Sequence, residues 1–218
     1  MQNPTRHRSI HRAGTGEDAA VAATIIAQAF SPLPVCEWLV PDARQRVRVL
    51  AAVFDITVEH ALNFGVVDLL TQTASGASGA GADGVVGVAV WFDRTRAVPG
   101  PPDYEERLQA ATGTGYARFA ALDQVFDQHH PAGPPHHHLA FLAVTPGHQG
   151  TGIGTTLLEH HHRRLDARQV PAYLEASSEA SARLYTRHGY TRHGFLFEVA
   201  EGAPFVPMWR DPTPGGPA

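Results

Sequence analysis

The sequence predicts a single α/β domain, of the α+β kind, in which helices cover a mixed sheet. Three observations lead there. At 218 residues the chain is long enough for one substantial core and short for two. Its apolar residues follow two rhythms, short β-rich runs and longer stretches at helical spacing, interleaved along the chain. Near the middle of that order a buried-looking strand runs into a helix through His148-Gln-Gly-Thr-Gly-Ile-Gly154, three glycines in seven residues.

Taken in order, a short strand starting near Ser9 opens the domain. Thr15 or Asp18 then starts a helix carrying Val21, Ile25, Ile26 and Phe30 at helical spacing. Residues 31–42 hold Pro32, Pro34 and Pro41 and read as a shaped loop. The next helix, residues 43–62, gathers Val47, Leu50, Val53, Phe54 and Val58 on one side. Strands follow at residues 64–71 and 84–93. The glycine- and serine-rich stretch between them, residues 73–84, is expected to be a flexible hairpin tip. Residues 103–130 read as a helix in two pieces, broken near Gly113 and Gly115. A buried strand at 138–145 stops at Pro146, and a helix follows the glycine turn. A strand at 171–177, a short helix at 179–188 and two strands around 194–199 and 205–211 close the domain. One domain is thus expected over residues 10–210, with flexible ends at 1–9 and 211–218.

Composition excludes several functions. The formal charge is −4 and no stretch concentrates basic residues, so nucleic acid is not an expected partner. The chain has no lysine, which removes Schiff-base chemistry and any lysine-based phosphate site. No apolar run reaches the roughly 18–20 residues of a membrane span, and the first residues lack the apolar core of a secretory signal. A lone Cys36 fits a reducing, cytoplasmic setting.

A helix that starts directly after a glycine turn offers unpaired backbone N–H groups and a partial positive charge, a combination suited to phosphate. A Walker loop needs Gly-Lys-Ser/Thr and fails for want of lysine. A dinucleotide turn has Gly152 and Gly154 in place and Glu175 at about the ribose-ligand spacing, but Leu157 stands where the third glycine belongs. Gln149-Gly150-Thr151-Gly152-Ile153-Gly154 matches a third pattern, Gln/Arg-x-x-Gly-x-Gly/Ala.

That pattern is the acyl-CoA loop of the GNAT N-acetyltransferase family, which the chain resembles from about Ile10 to Trp209. The resemblance extends to the strand–loop–helix stretch Phe141–Leu158, to Val170–Tyr190 with its short helix, and to the central strand Val86–Phe92. Within the family it is most like the puromycin-acetylating branch and its actinomycete relatives. The resemblance implies a mostly antiparallel, twisted sheet of six to seven strands flanked by about four or more helices, with one splayed pair of strands. It implies acetyl-CoA as cosubstrate, with its diphosphate on the amides of Thr151 to Thr155 and with Gln149, Gly150, Gly152, Ile153, Gly154 and Ser181 around it. Leu142 and Val144 would pair with the pantetheine arm, and the N–H of Leu142 or Ala143 would hold the thioester oxyanion. Gln149 stands where arginine is common, so its side chain brings no cation.

The resemblance also implies that Tyr185 takes the position of the acid that protonates the departing thiolate. From a phenol of pKa about 10 to a thiol of about 8.5 that transfer is uphill by roughly 2 kcal/mol. Glu175, acting through water, is the first candidate for the base that the incoming ammonium needs, and His138 is the second. Glu37 and Trp38, in the proline-rich stretch, are the acceptor-side candidates. Structural roles compete for the same residues: a core aromatic for Tyr185, a backbone-bonded carboxylate for Glu175, loop packing for Glu37 and Trp38. His160, His161 and His162 point about 100° apart on a helix and cannot share an ion. His136 and His138 have no carboxylate near them in sequence, so no metal is expected. The implied activity is acetyl transfer through a ternary complex to the amine of a small molecule, an antibiotic or other secondary metabolite, by a monomer or homodimer. A non-catalytic acyl-CoA-binding protein and a nicotinamide oxidoreductase are the alternatives.

Overall fold

The computed structural model describes residues 6–74 and 84–213. Most of the expected hairpin tip lies outside the described residues. Strand β1 (Arg6–Arg12) begins earlier than expected, because its first residues pair with Gln72, Thr73 and Ala74 at the far end of β2 (Gly65–Ala74). Helix α1 (Gly16–Phe30) uses both proposed starting residues. Thr15 Oγ1 accepts from the Asp18 N–H and the Asp18 carboxylate accepts from the Thr15 N–H, a reciprocal cap. Its buried face is Ala22, Ile25 and Ile26; Val21, expected among them, is exposed.

The proline-rich stretch is not a loop throughout. Pro34–Leu39 forms helix α2, with Pro34 in its first turn, where a missing N–H costs nothing. Helix α3 (Ala43–Phe64) follows and leads directly into β2; β3 (Gly84–Asp93) completes a hairpin with it. Helices α4 (Tyr104–Thr112) and α5 (Tyr116–His129) are separated at Gly113–Gly115, as the glycines predicted. Then come β4 (His137–Val144), α6 (Ile153–Arg168), β5 (Ala172–Ala176) and α7 (Glu179–Arg187). Two-residue strands β6 (Thr191–Arg192) and β7 (Phe197–Glu198) and the longer β8 (Pro204–Arg210) end the fold. The last described residues are tied down: Arg210 forks onto the Asp166 carboxylate at 2.8 Å, and the Thr213 N–H donates to the same group at 2.9 Å.

The eight strands form one sheet in the order β1-β2-β3-β4-β5-β8-β6, with β7 on β8. Every pairing is antiparallel except that of β4 with β5. This is the mostly antiparallel sheet expected, with eight strands among the described residues where six to seven were predicted. The described strands do not form the doubly wound parallel sheet in which a dinucleotide turn is found. Helices α6 and α7 cover one face, over Trp91, Leu157, Leu174 and Tyr190. Helices α1 and α3 cover the other, over Ile26, Val58 and Val90. No described helix is long and apolar enough to cross a membrane.

Candidate active site

Strands β4 and β5 pair only at His137↔Ala172 and His138↔Tyr173. Beyond that point they part, and a cavity of about 720 Å³ opens between them. Its two ends are built differently.

At one end the wall is main chain. The Thr145 N–H bonds the Val86 carbonyl of β3 at 3.0 Å. Alternation along the strand then turns the amides of Leu142 and Val144 toward the cavity and that of Ala143 toward β3. Leu142 and Val144 are thus free to pair with an extended ligand. Ala143, an expected alternative for the oxyanion, faces β3, whereas the Leu142 N–H faces the cavity. The Val144 carbonyl meanwhile accepts from Gln149 Nε2 at 3.4 Å, so this side chain is turned back onto its own strand.

Past the strand, Gly150 (φ +73°) and Gly152 (φ +86°) adopt left-handed backbone that a side chain would strain. Gly152 caps α6 with no side-chain bond, and the first helical bond runs from the Thr156 N–H to its carbonyl at 3.0 Å. The amides of Ile153, Gly154 and Thr155 precede that bond and have no partner within the helix, so they and the helix dipole make a corner for an anion. Gln149, Gly150, Gly152, Ile153, Gly154, Thr155 and Ser181 all line the cavity. Thr151 does not: its carbonyl and hydroxyl accept from Arg8 Nη2 at 2.9 and 3.4 Å. Ser181 Oγ is engaged in the reciprocal cap of α7 with Ser178. Arg8 is a residue that sequence reasoning missed, since it reaches the loop from β1, 143 residues away. Arg187, on α7, adds a second cation at the cavity edge.

At the other end the wall is side chains. Phe30, Cys36, Phe54, Leu122, Phe126 and Phe205 come from five elements and are apolar. Phe30, Phe54 and Phe141 pack edge to face at 5.0–6.0 Å. Glu37 and Trp38, the expected acceptor contacts, are not on this wall. Because α2 is a helix, it buries Val35, Cys36 and Leu39 and turns Glu37 outward to pair with Arg46 at 3.2 Å. Trp38 packs against the α2–α5 core, where its carbonyl accepts from Arg118 at 2.7 Å. Burial pushes the Cys36 thiol up to about 12, which leaves it no thiolate for nucleophilic attack.

Glu175 joins the two ends. It lines the cavity, yet its side chain is only 4% exposed. Burial alone would raise its carboxyl, but the His138 charge and hydrogen bond, with His130 and Tyr173 close by, win and hold it at about 2. His138 Nε2 is 2.9 Å from Oε2. At neutral pH this position is a carboxylate: a strong attractor of ammonium and a weak base. Tyr185 also lines the cavity, and burial pushes its phenol up from the ordinary value. It therefore keeps its proton, and full transfer to a thiolate is steeper than for a free phenol. The histidines of α6 pack: His161 stacks on Trp91 at 4.1 Å and reaches His137 at 3.1 Å, and His162 meets the Tyr190 hydroxyl at 3.0 Å.

A splayed strand pair feeding a glycine-capped helix defines a class, and comparison with known proteins agrees. Residues 106–192 match the acetyltransferase (GNAT) domain model. A structure described as histone acetyltransferase HPA2 and related acetyltransferase, from Corynebacterium glutamicum, superposes with a TM-score of 0.67. It is 28% identical and matches 94% of this chain and 97% of that one. The ribosomal-protein-S18-alanine N-acetyltransferase of Escherichia coli shares the fold, with a TM-score of 0.53 at 17% identity over 96% of this chain and 97% of that one. Mycothiol acetyltransferase of Geodermatophilus obscurus is 44% identical over 55 residues; the match spans 24% of this chain and only 18% of that relative. Residues 106–192 thus resemble a GNAT acetyltransferase domain, and the fold of the whole chain is shared with an acetyltransferase structure.

Proposed function

We propose that the protein transfers the acetyl group of acetyl-CoA to the amine of a small molecule with an apolar or aromatic body. The observation that carries this reading is the continuity of one cavity. The unpaired edge of β4 leads at one end to the amides of Ile153–Thr155 and at the other to an ionised Glu175 within an aromatic wall.

In this reading the diphosphate rests on the α6 amides, with Arg8 and Arg187 adding positive charge where Gln149 brings none. The pantetheine arm pairs with Leu142 and Val144, which sets the thioester beside the Leu142 N–H. Glu175 draws in the ammonium form of the acceptor and orients the water through which its proton leaves to solvent, backed by His138. The free amine attacks the thioester carbon, the Leu142 amide holds the developing oxyanion, and the C–S bond breaks as the carbonyl re-forms. Tyr185 donates a hydrogen bond to the departing sulfur, which lessens the driving force needed for its protonation. The raised thiol of Cys36 favours direct attack over an acyl-cysteine. The apolar acceptor wall and the likeness to the puromycin-acetylating branch both favour an antibiotic or other secondary metabolite.

Two measurements test this. CoA and acetyl-CoA should raise the melting temperature while NAD does not, and a panel of aromatic monoamines should release CoA thiol from acetyl-CoA. Binding without thiol release from any amine would make the protein an acyl-CoA-binding module. Absence of both would end the reading.

A further inference from the structure

The cluster behind the cavity wall has more donors than hydrogen bonds. Glu175 on β5, His138 on β4 and His130 just past α5 each bring one donor atom within 4.8 Å of the other two. His138 Nε2 already meets Oε2 at 2.9 Å. Oε1 of the same buried carboxylate has no hydrogen-bond partner, and neither do His138 Nδ1 and His130 Nε2. A buried carboxylate oxygen left uncompensated is costly. His130 Nδ1 stops 3.9 Å from Oε1. That is too long for a hydrogen bond, but near the ~3.4 Å between two ligands on a tetrahedral ion with bonds of about 2.1 Å.

We propose that His130, His138 and Glu175 together bind a divalent cation of borderline softness, Zn²⁺ above all, and that its binding shuts the amine out of the cavity. Two imidazoles and one carboxylate suit zinc, whereas calcium and magnesium prefer shells of six or more oxygens. The three residues come from separate, well-packed elements, so the donors are held together before any ion arrives. Glu175 is the member of the cluster that lines the cavity, so an ion on its carboxylate bears on the acceptor space. A carboxylate that carries the ion cannot at the same time hold an ammonium group. The inhibitory half of this inference rests on the acetyltransferase reading; the binding half does not.

The chelator-treated protein is titrated with Co²⁺ alone and followed by the ligand-field absorption of tetrahedral cobalt. One equivalent should bind and be displaced by Zn²⁺. His130→Asn should lose at least ten-fold in affinity, and so should Glu175→Gln, which keeps the shape but not the charge. His129→Asn, whose ring stacks on Phe197 outside the cluster, should bind like the parent. In acetyl-transfer assays Zn²⁺ should raise the KM for the amine, and His130→Asn should relieve that rise. Cobalt binding without the tetrahedral band, or binding as tight in His130→Asn as in His129→Asn, would overturn the site and leave only adventitious histidine contacts. A His130-dependent band in a protein that acetylates no amine would uphold the site and sink the acetyltransferase reading instead. Acetyl transfer with no such band would do the reverse.

Discussion

The two ends of the cavity solve their problems with different materials. The end at α6 is backbone: an unpaired strand edge, two left-handed glycines and a helix start without a side-chain cap. The acceptor end is side chain: aromatic rings from five elements around one buried carboxylate. A backbone site tolerates most substitutions but not an added Cβ at the turns. A side-chain site tolerates backbone adjustment but not the loss of its one charge.

The sharpest way to break this contrast is Gly152→Val. At φ +86° a β-branched residue is strained by about 1–2 kcal/mol, and its Cβ would stand 3.8 Å from Arg8 Nη1. Affinity for CoA should fall by about 100-fold or more, read by calorimetry. Binding left intact would mean that the diphosphate does not use this corner. Glu175→Gln should do the opposite, leaving CoA affinity unchanged while kcat/KM for the amine drops about 100-fold. The same variant tests the electrostatics. A carboxyl held at about 2 in the fold, against about 4.3 when unfolded, stabilises the protein above pH ~4.3. That contribution fades as pH falls toward 2, so the acid limb of the parent's stability curve should flatten in Glu175→Gln.

Tyr185→Phe belongs to neither end and should lower kcat by about ten-fold, the worth of one hydrogen bond to the leaving sulfur. Loss of all activity would make the phenol an obligatory acid. The smallest effect is expected for Arg8→Gln: a KM for acetyl-CoA raised about five-fold at low salt and less so at high salt, with kcat unchanged. A KM that does not move would confine Arg8 to bracing the Thr151 carbonyl.

The same contrast explains what could be read in advance. Every backbone determinant of the α6 corner lies between Leu142 and Thr155, so strand, turn and helix start were visible as one contiguous pattern. Even there the structure refined the reading: strand alternation removed Ala143 from the oxyanion position, and Thr151 turned out to hold Arg8. At the acceptor end the reading was poorer. Glu175 and His138 were named separately, but their contact spans 37 residues, and nothing local announced that His130 would join them. Glu37 and Trp38 were misplaced because prolines concealed the helix of α2, whose periodicity turns Val35, Cys36 and Leu39 to the cavity instead.

By itself, then, the sequence determined the α+β architecture, the cap of α1, the break between α4 and α5, and the glycine corner at α6. Each rests on conformational preferences acting over a few bonds. Only the tertiary structure decided which side chains face the acceptor, which cation reaches the loop, and why Glu175 stays charged while buried. Those depend on distances between residues remote in the chain, and such distances exist only once the strands have found their partners.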